Sequence, residues 1–289
     1  MNTKIILAAA LGAAIFTSCC GGTAEQKVMA RYVPERYDDF VFENNLIAGR
    51  IYGEALESCG DGQITSPGVD IWVKTPGALV CDQRYKDDLA GIRTYHKDWG
   101  NGKDCYKVAR SLGGGASAPI IDSLIQFPAT NYRSWEIVEQ GPEKVVFSVS
   151  YPEWEASGRR IALTKTFTVT PDTYFVKVED VYTFTGEPLE VAAGVFRHPG
   201  QQTIVQERLA ADSYYIWERA SDQSVEPEEG MLGVAVYVPG ASASCITPDG
   251  SHGLVSRIVE SGETFTYWFG SCWSKADIKT APDWFAQRP

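Results

Sequence analysis

Between Tyr95 and Gly115 the chain reads YHKDWGNGKDCYKVARSLGGG, which places a histidine, two aspartates, three lysines, two tyrosines and a tryptophan among glycines, in a protein with 3 histidines in all. An imidazole titrates near neutral pH and can carry a proton. His96 is therefore a candidate general acid or base, with Asp98 or Asp104 to orient it. On an extended segment Asp104 and Tyr106 share one face and Lys107 takes the other. Asp104 and Tyr106 can then meet one ligand together, Tyr106 as a second acid. Lys107 joins them as a cationic clamp only if the segment is a loop. Gly100, Gly102 and the triplet starting at Gly113 would let backbone approach a ligand closely. The plainer alternative is a long connection whose aspartates cap turns, whose lysines face water and whose Tyr106 belongs to the core.

Other residues could serve the same chemistry. In FRHPG, Arg197 and His198 point to opposite faces of a strand end, so at most one of the two faces a pocket. Arg50 and Tyr52 share a face of LIAGRIYG, and an inward arginine is a natural clamp for a carboxylate. Asp70 and Trp72 share a face of VDIWVK and pair a hydrogen-bond acceptor with a stacking plate. Trp273 and Lys275, ending YWFGSCWSK, pair a plate with a cation, and Trp99 is a further plate. His252, in the turn from Asp249 to Gly253, reads as exposed. Asp98, Asn101 and Asp104 supply too few acidic ligands for a calcium loop. There is neither a GxSxG elbow nor a phosphate-binding loop. The sequence thus implies no metal and no cofactor.

Strands must position these groups. From Tyr132 onward, period-two runs such as RRIALTKTFTV, YFVKVEDVYTF, LEVAAGVF and ETFTYWFGSCW are each bounded by Gly, Pro or Asp. Frequent turns and β-branched runs predict an all-β fold, a large antiparallel β-sandwich. One helical turn or two is expected near Gln83 to Ala90. No repeat or long linker divides the chain, so residues 31–289 read as a single domain.

The N-terminus points to export. A basic start at Lys4, an apolar run from Ile5 to Phe16 and the small residues Thr17 and Ser18 before Cys19 form a secretory signal. The run is too short to span a bilayer. It resembles the lipobox of bacterial lipoproteins, which implies residues 1–19 as signal peptide, Cys19 as the lipidated residue and residues 20–30 as a tether. The expected location is periplasm or cell surface, with the membrane met only through the lipid anchor. The six later cysteines are possible disulfides without a deducible connectivity. A net charge of −11 argues against nucleic-acid and anionic-membrane partners. The 8 tryptophans and 14 tyrosines suit sugar stacking as well as sheet cores.

The stretch KTFTVTPDTYFVKVEDVYTFTGEPLEVAAGVFRHPG, with its Pro-Asp turn and strand ending at His198, resembles the middle of galactose-mutarotase-like β-supersandwich proteins. With RYVPERYDDFVFENNLIAGRIYG, GVDIWVK, the Tyr95–Gly115 block and YWFGSCWSKADI, it looks similar to a group of exported Bacteroidetes sugar-processing proteins that accompany uronate and pectin degradation. The resemblance covers most of the chain from Arg31. It implies a carbohydrate partner and matches His198 and His96 to the two mutarotase histidines. His198 is followed here by Pro199-Gly200 rather than the mutarotase continuation, and Glu263 is the nearest candidate for the late glutamate. The expected function is proton transfer, epimerase-like or lyase-like, on a uronic-acid-containing oligosaccharide. His96 and His198 are acid and base, and Arg50 or Lys107 holds the carboxylate. The alternative is a non-catalytic glycan-binding surface lipoprotein using Trp72, Trp99 and Trp273.

Overall fold

Eighteen strands in three antiparallel sheets carry the chain in a computed structural model that describes residues 25–60, 62–200, 203–220 and 229–289. Strands β1 (Val28–Val33), β2 (Asp39–Asn44), β3 (Ala48–Ile51), β4 (Asp70–Lys74) and β5 (Gly102–Asp104) form a five-stranded sheet in chain order. Helix α1 (Cys81–Leu89) lies between β4 and β5 in sequence, where a short helix was expected. After β6 (Ser117–Ile121) and β7 (Leu124–Ile125) come β8 (Ser134–Gln140), β9 (Val145–Ala156), β10 (Arg159–Val169) and β11 (Phe175–Phe184). They are followed by β12 (Leu189–Phe196), β13 (Ile204–Leu209), β14 (Ser213–Arg219) and β15 (Met231–Tyr237). The series ends with β16 (Ala243–Ile246), β17 (His252–Val259), β18 (Thr264–Trp273) and helix α2 (Ala281–Ala286).

An eight-stranded sheet, β13-β14-β15-β18-β11-β10-β9-β8, is the central layer. One of its faces packs against both the β1–β5 sheet and the third sheet, β16-β17-β12-β6-β7, giving the expected all-β sandwich. Alternation explains the layer: in β10, Ile161, Leu163, Phe167 and Val169 point inward and are buried. Phe147 and Phe167 stack at 4.8 Å, Phe40 stacks on Phe147 at 4.4 Å, and Phe42 meets Phe269 edge-on at 5.7 Å. These rings fasten the first sheet to the central one. On the opposite face of the central sheet, Trp284 of α2 stacks on Phe175 at 5.6 Å.

The N-terminal expectations fall mainly outside the described residues: the signal at 1–19, Cys19 itself and residues 20–24 of the tether. β1 starts at Val28, so the last three residues assigned to the tether belong to a strand. Cys81, Cys245 and Cys272 are free thiols. The glycine triplet approaches protein rather than ligand. Gly113 has φ +56°, and a side chain there would meet the Val69 carbonyl oxygen at 2.4 Å; at Gly115, φ +144°, it would meet Phe269 at 2.1 Å.

One inward position of β10 is a cation. Lys165 is fully buried and paired with Asp180 of β11, with Ser117 Oγ at 3.2 Å and Tyr267 Oη at 3.4 Å. Ser117 also donates to Asp180 and lies 2.7 Å from Tyr182 Oη. Removing one partner of such a pair strands the other charge, at a cost of about 3–5 kcal/mol, while replacing both is often neutral. Lys165→Met should therefore lose about that much stability in urea denaturation, and Lys165→Met with Asp180→Leu should recover most of it. A single-variant loss below about 1 kcal/mol would show that Asp180 is not held as a charge by Lys165.

Candidate active site

Strand register gathers a charged cluster on the face of the β1–β5 sheet turned away from the sandwich core. Arg50 pairs with Val41 on one side and Asp70 on the other, and Trp72 pairs with Ala48 and Asp104. Each nitrogen of the Arg50 guanidinium has a carboxylate partner: Nε donates to Asp70 Oδ2 at 2.7 Å, Nη2 to Asp104 Oδ2 at 3.0 Å and Nη1 to Asp39 Oδ2 at 3.3 Å. Tyr52 donates to the same Asp70 oxygen at 2.9 Å. The rings of Trp72 and Tyr95 lie 5.2 and 5.3 Å from the guanidinium carbon and stack on each other at 4.9 Å. Helix α1 and the loop from Thr94 to Asn101 close over this layer, which also buries Met29, Val33, Val41, Cys81 and Tyr85.

Three carboxylates around one guanidinium leave the cluster with an excess of negative charge. Burial dominates their titration. It pushes Asp70 up to about 7, helped by the neighbouring Asp104, and Asp39 up to about 6 against the pull of Arg50. Burial raises Asp104 as well. Each of the three aspartates keeps Oδ1 buried and without a hydrogen-bond partner among the described residues. Arg36 adds a second cation nearby and donates from Nε to Tyr95 Oη at 3.0 Å.

His96 stands at the open edge of this cluster. Its side chain is 37 % exposed, its ring packs on Tyr95 at 4.5 Å, and Nδ1 lies 3.6 Å from Asp104 Oδ2. Nδ1 is buried and has no hydrogen-bond partner among the described residues. Burial, and then the Arg50 charge, lower its pKa, so the ring is neutral at pH 7 and able to accept a proton. Asp98 works locally, its Oδ1 accepting from the backbone N–H groups of Gly100 at 2.8 Å and Gly102 at 3.0 Å and so shaping the loop. Trp99 is the exposed aromatic of this loop, with Arg93 and Lys97 5.4 and 5.2 Å from its ring.

His198 belongs to a different environment, at the end of β12. Its Nδ1 is 3.0 Å from both carboxylate oxygens of Glu218, and Nε2 donates to the Lys107 carbonyl at 2.7 Å. Tyr106 packs edge-on against it at 4.7 Å and donates to Phe196 O at 3.4 Å. His198 is 7 % exposed, so both its nitrogens are occupied in a mostly buried ring. Open hollows of about 550, 570 and 410 Å³ all border Phe196. The last is lined by Lys107, His198 and Arg219, and by Ala109, whose φ of +51° is strained for a residue with a Cβ. His96 lines none of these three hollows.

Seven of the residues singled out in the sequence thus share one neighbourhood: Arg50, Tyr52, Asp70, Trp72, His96, Asp98 and Asp104. Tyr106, Lys107 and His198 share another. Several differ from their expected form. Arg50 is buried among three aspartates, and its N–H groups are spent on them rather than held open for a carboxylate. Trp72 has no exposed surface. Trp273 is buried and donates from Nε1 to Glu229 O at 2.8 Å, while Lys275, 5.5 Å from its ring, is exposed. Neither indole is an open plate. His252 is buried: Nε2 accepts from the Leu112 N–H at 3.2 Å, Nδ1 is 2.7 Å from Ser251 Oγ, and burial pushes its pKa down to about 4. Lys107 reaches the His198 site through its carbonyl. Sequence reasoning missed Asp39, Tyr95 and Glu218 as partners. It also missed Arg84, although Cys81, Arg84 and Tyr85 have the spacing of one helix face.

The cluster makes a pH prediction. A carboxyl raised from 3.8 to about 7 on folding contributes stability that is complete below 3.8 and is lost as pH rises through 7. Replacing Asp70 by Asn removes that loss. Urea denaturation should show the variant gaining stability relative to wild type, by at least about 1 kcal/mol, between pH 5 and pH 8. A constant difference across that range would mean Asp70 is ionised throughout.

Comparison with known proteins gives this chain relatives. "Uncharacterized protein P7" of Formosa agariphila is 29% identical over 216 residues, which are 73% of this chain and 51% of that protein. The chain thus spans about half the length of the curated relative it matches. A crystal structure of the GalM/aldose epimerase homologue from C. elegans aligns over 84% of this chain and 97% of that one, at 12% identity and a TM-score of 0.27. The family model described as a domain of unknown function, DUF4861, matches residues 20–287, and the chain belongs to that family.

Proposed function

We propose that this chain is an exported, lipid-anchored enzyme of polysaccharide catabolism that moves a proton on a uronic-acid-containing oligosaccharide, with His96 as the proton carrier. The observation that carries the proposal is the half-open, neutral imidazole whose hidden nitrogen faces the Asp104–Arg50 cluster. When Nε2 accepts a proton from the sugar, the charge gained is stabilised by the carboxylate 3.6 Å from Nδ1. Hydrogen bonds of this kind are often long until a ligand closes the site. The proton comes from the carbon next to the sugar carboxylate in a lyase-like reaction, or from the anomeric hydroxyl in an epimerase-like one. The N-terminal segment ending at Cys19 supports export and anchoring.

His96→Gln keeps a polar side chain of similar reach but cannot take a proton. Its kcat on a uronate oligosaccharide, followed by the absorbance of an unsaturated product or by anomeric exchange in NMR, should fall at least about 100-fold. KM should change less than about threefold. Equal losses in kcat and affinity would make His96 a ligand holder instead.

A second reading, glycan binding without turnover, is favoured by the hollows around Phe196. They are wide enough for sugar rings, and the histidine beside them has both nitrogens bonded. On this reading calorimetry finds saturable affinity for a polymer whose reducing ends do not change. Phe196→Ala should then weaken binding by about 1 kcal/mol or more, and His96→Gln should leave it unaltered.

A further inference from the structure

We propose that the small hollow walled by Arg84, Arg93 and Lys97, beside His96, binds a single carboxylate: the acid group of the sugar. The assignment starts from Arg84. It lies on the buried face of α1 and is 7 % exposed. Its Nη2 donates to the Asn101 carbonyl at 2.7 Å and the Val73 carbonyl at 3.2 Å, and its guanidinium carbon is 5.8 Å from the Trp72 ring. Nε and Nη1 are buried and have no hydrogen-bond partner among the described residues. A buried charged donor left unsatisfied is costly, and an anion is the partner it fits best. Arg50 cannot fill this role, because its N–H groups are already held by Asp39, Asp70 and Asp104.

The surroundings agree in sign and size. The hollow is about 60 Å³, room for a small polar group and not for a sugar ring. Three cations line it, in a chain whose net charge is −11. The lining carboxylate, Asp87, accepts from Gln83 Nε2 at 2.6 Å. Trp99 is locked by its Nε1 donating to Thr94 O at 2.9 Å, and its ring lies within cation–π range of Arg93 and Lys97. Tyr95, whose ring packs on the His96 ring at 4.5 Å, lines the hollow, as does Lys97. A carboxylate seated there brings the rest of its sugar toward the side of the loop that carries His96. The identity of the anion as a sugar acid rests on the function proposed above; the anion site itself does not.

The test compares D-glucuronate with D-glucose, which differ at the carboxylate, by calorimetry on the full chain at pH 7 and low salt. Wild type should bind glucuronate at least about tenfold more tightly than glucose. Arg93→Ala, at an exposed position, with Lys97→Ala, at a half-buried one, should lose that preference, and so should Arg84→Met if it folds. His96→Gln should keep it while losing turnover. Equal binding of the two sugars by wild type, or an undiminished preference in the Arg93/Lys97 double variant, overturns the site. If His96→Gln retains turnover while the double variant loses glucuronate, the carboxylate site stands and the proton-transfer role falls. The reverse pattern rejects the site and leaves that role intact.

Discussion

A single guanidinium, Arg50, holds together the part of the molecule on which function is proposed to depend. It takes one oxygen from each of Asp39, Asp70 and Asp104, so that β2, β4 and β5 are bound through β3. Through Tyr95 it also reaches the loop that covers the sheet. Burying these four ionisable groups is expensive, and their attraction offsets the expense only because geometry and charge are shared so closely. Burial has a chemical consequence here. It raises Asp70 to about 7 and Asp39 to about 6, and together with the Arg50 charge it lowers the pKa of the imidazole at their edge. The three aspartates occupy Arg50. On the proposed reading a sugar acid finds its cation on the neighbouring helix, at Arg84, whose Nε and Nη1 have no hydrogen-bond partner among the described residues.

His96 and His198 sit in different settings. His198 is fixed between a carboxylate and a backbone carbonyl, an arrangement that joins the end of β12 to β14 and to the Asp104–Lys107 segment. His96 has an Nδ1 without a hydrogen-bond partner among the described residues, and its side chain is partly open to solvent. The segment from Tyr95 to Gly115 contributes to both neighbourhoods. Its first part covers the Arg50 cluster, its middle borders the hollow beside His198, and its glycines pack against Val69 and Phe269.

Much of the fold was legible because period-two alternation survives in the long strands, as in β10, and because α1 is bounded by turns. The shared faces of Arg50 with Tyr52 and of Asp70 with Trp72 also follow directly from strand period. Which face is covered does not follow. Trp72 and Trp273 looked like open plates because alternation cannot tell an outer surface from one roofed by a helix or a loop. His252, in a Gly-Ser turn, looked exposed; its ring instead accepts the Leu112 N–H from 140 positions away in sequence. Asp39 and Glu218 gave no local signal, since each acquires its partner only through tertiary pairing. Arg84 did give one, its spacing with Cys81 and Tyr85, hidden among the charges of CDQRYKDDL.

With only 3 histidines, the ring resonances of isotope-labelled protein can be assigned one by one and followed against pH. His96 should titrate below 6.5 and be neutral at pH 7, and replacing Asp104 by Asn should lower its pKa further by removing the facing carboxylate. A His96 that stays protonated at pH 7, or whose titration ignores Asp104, would contradict the proton-carrying role at its root.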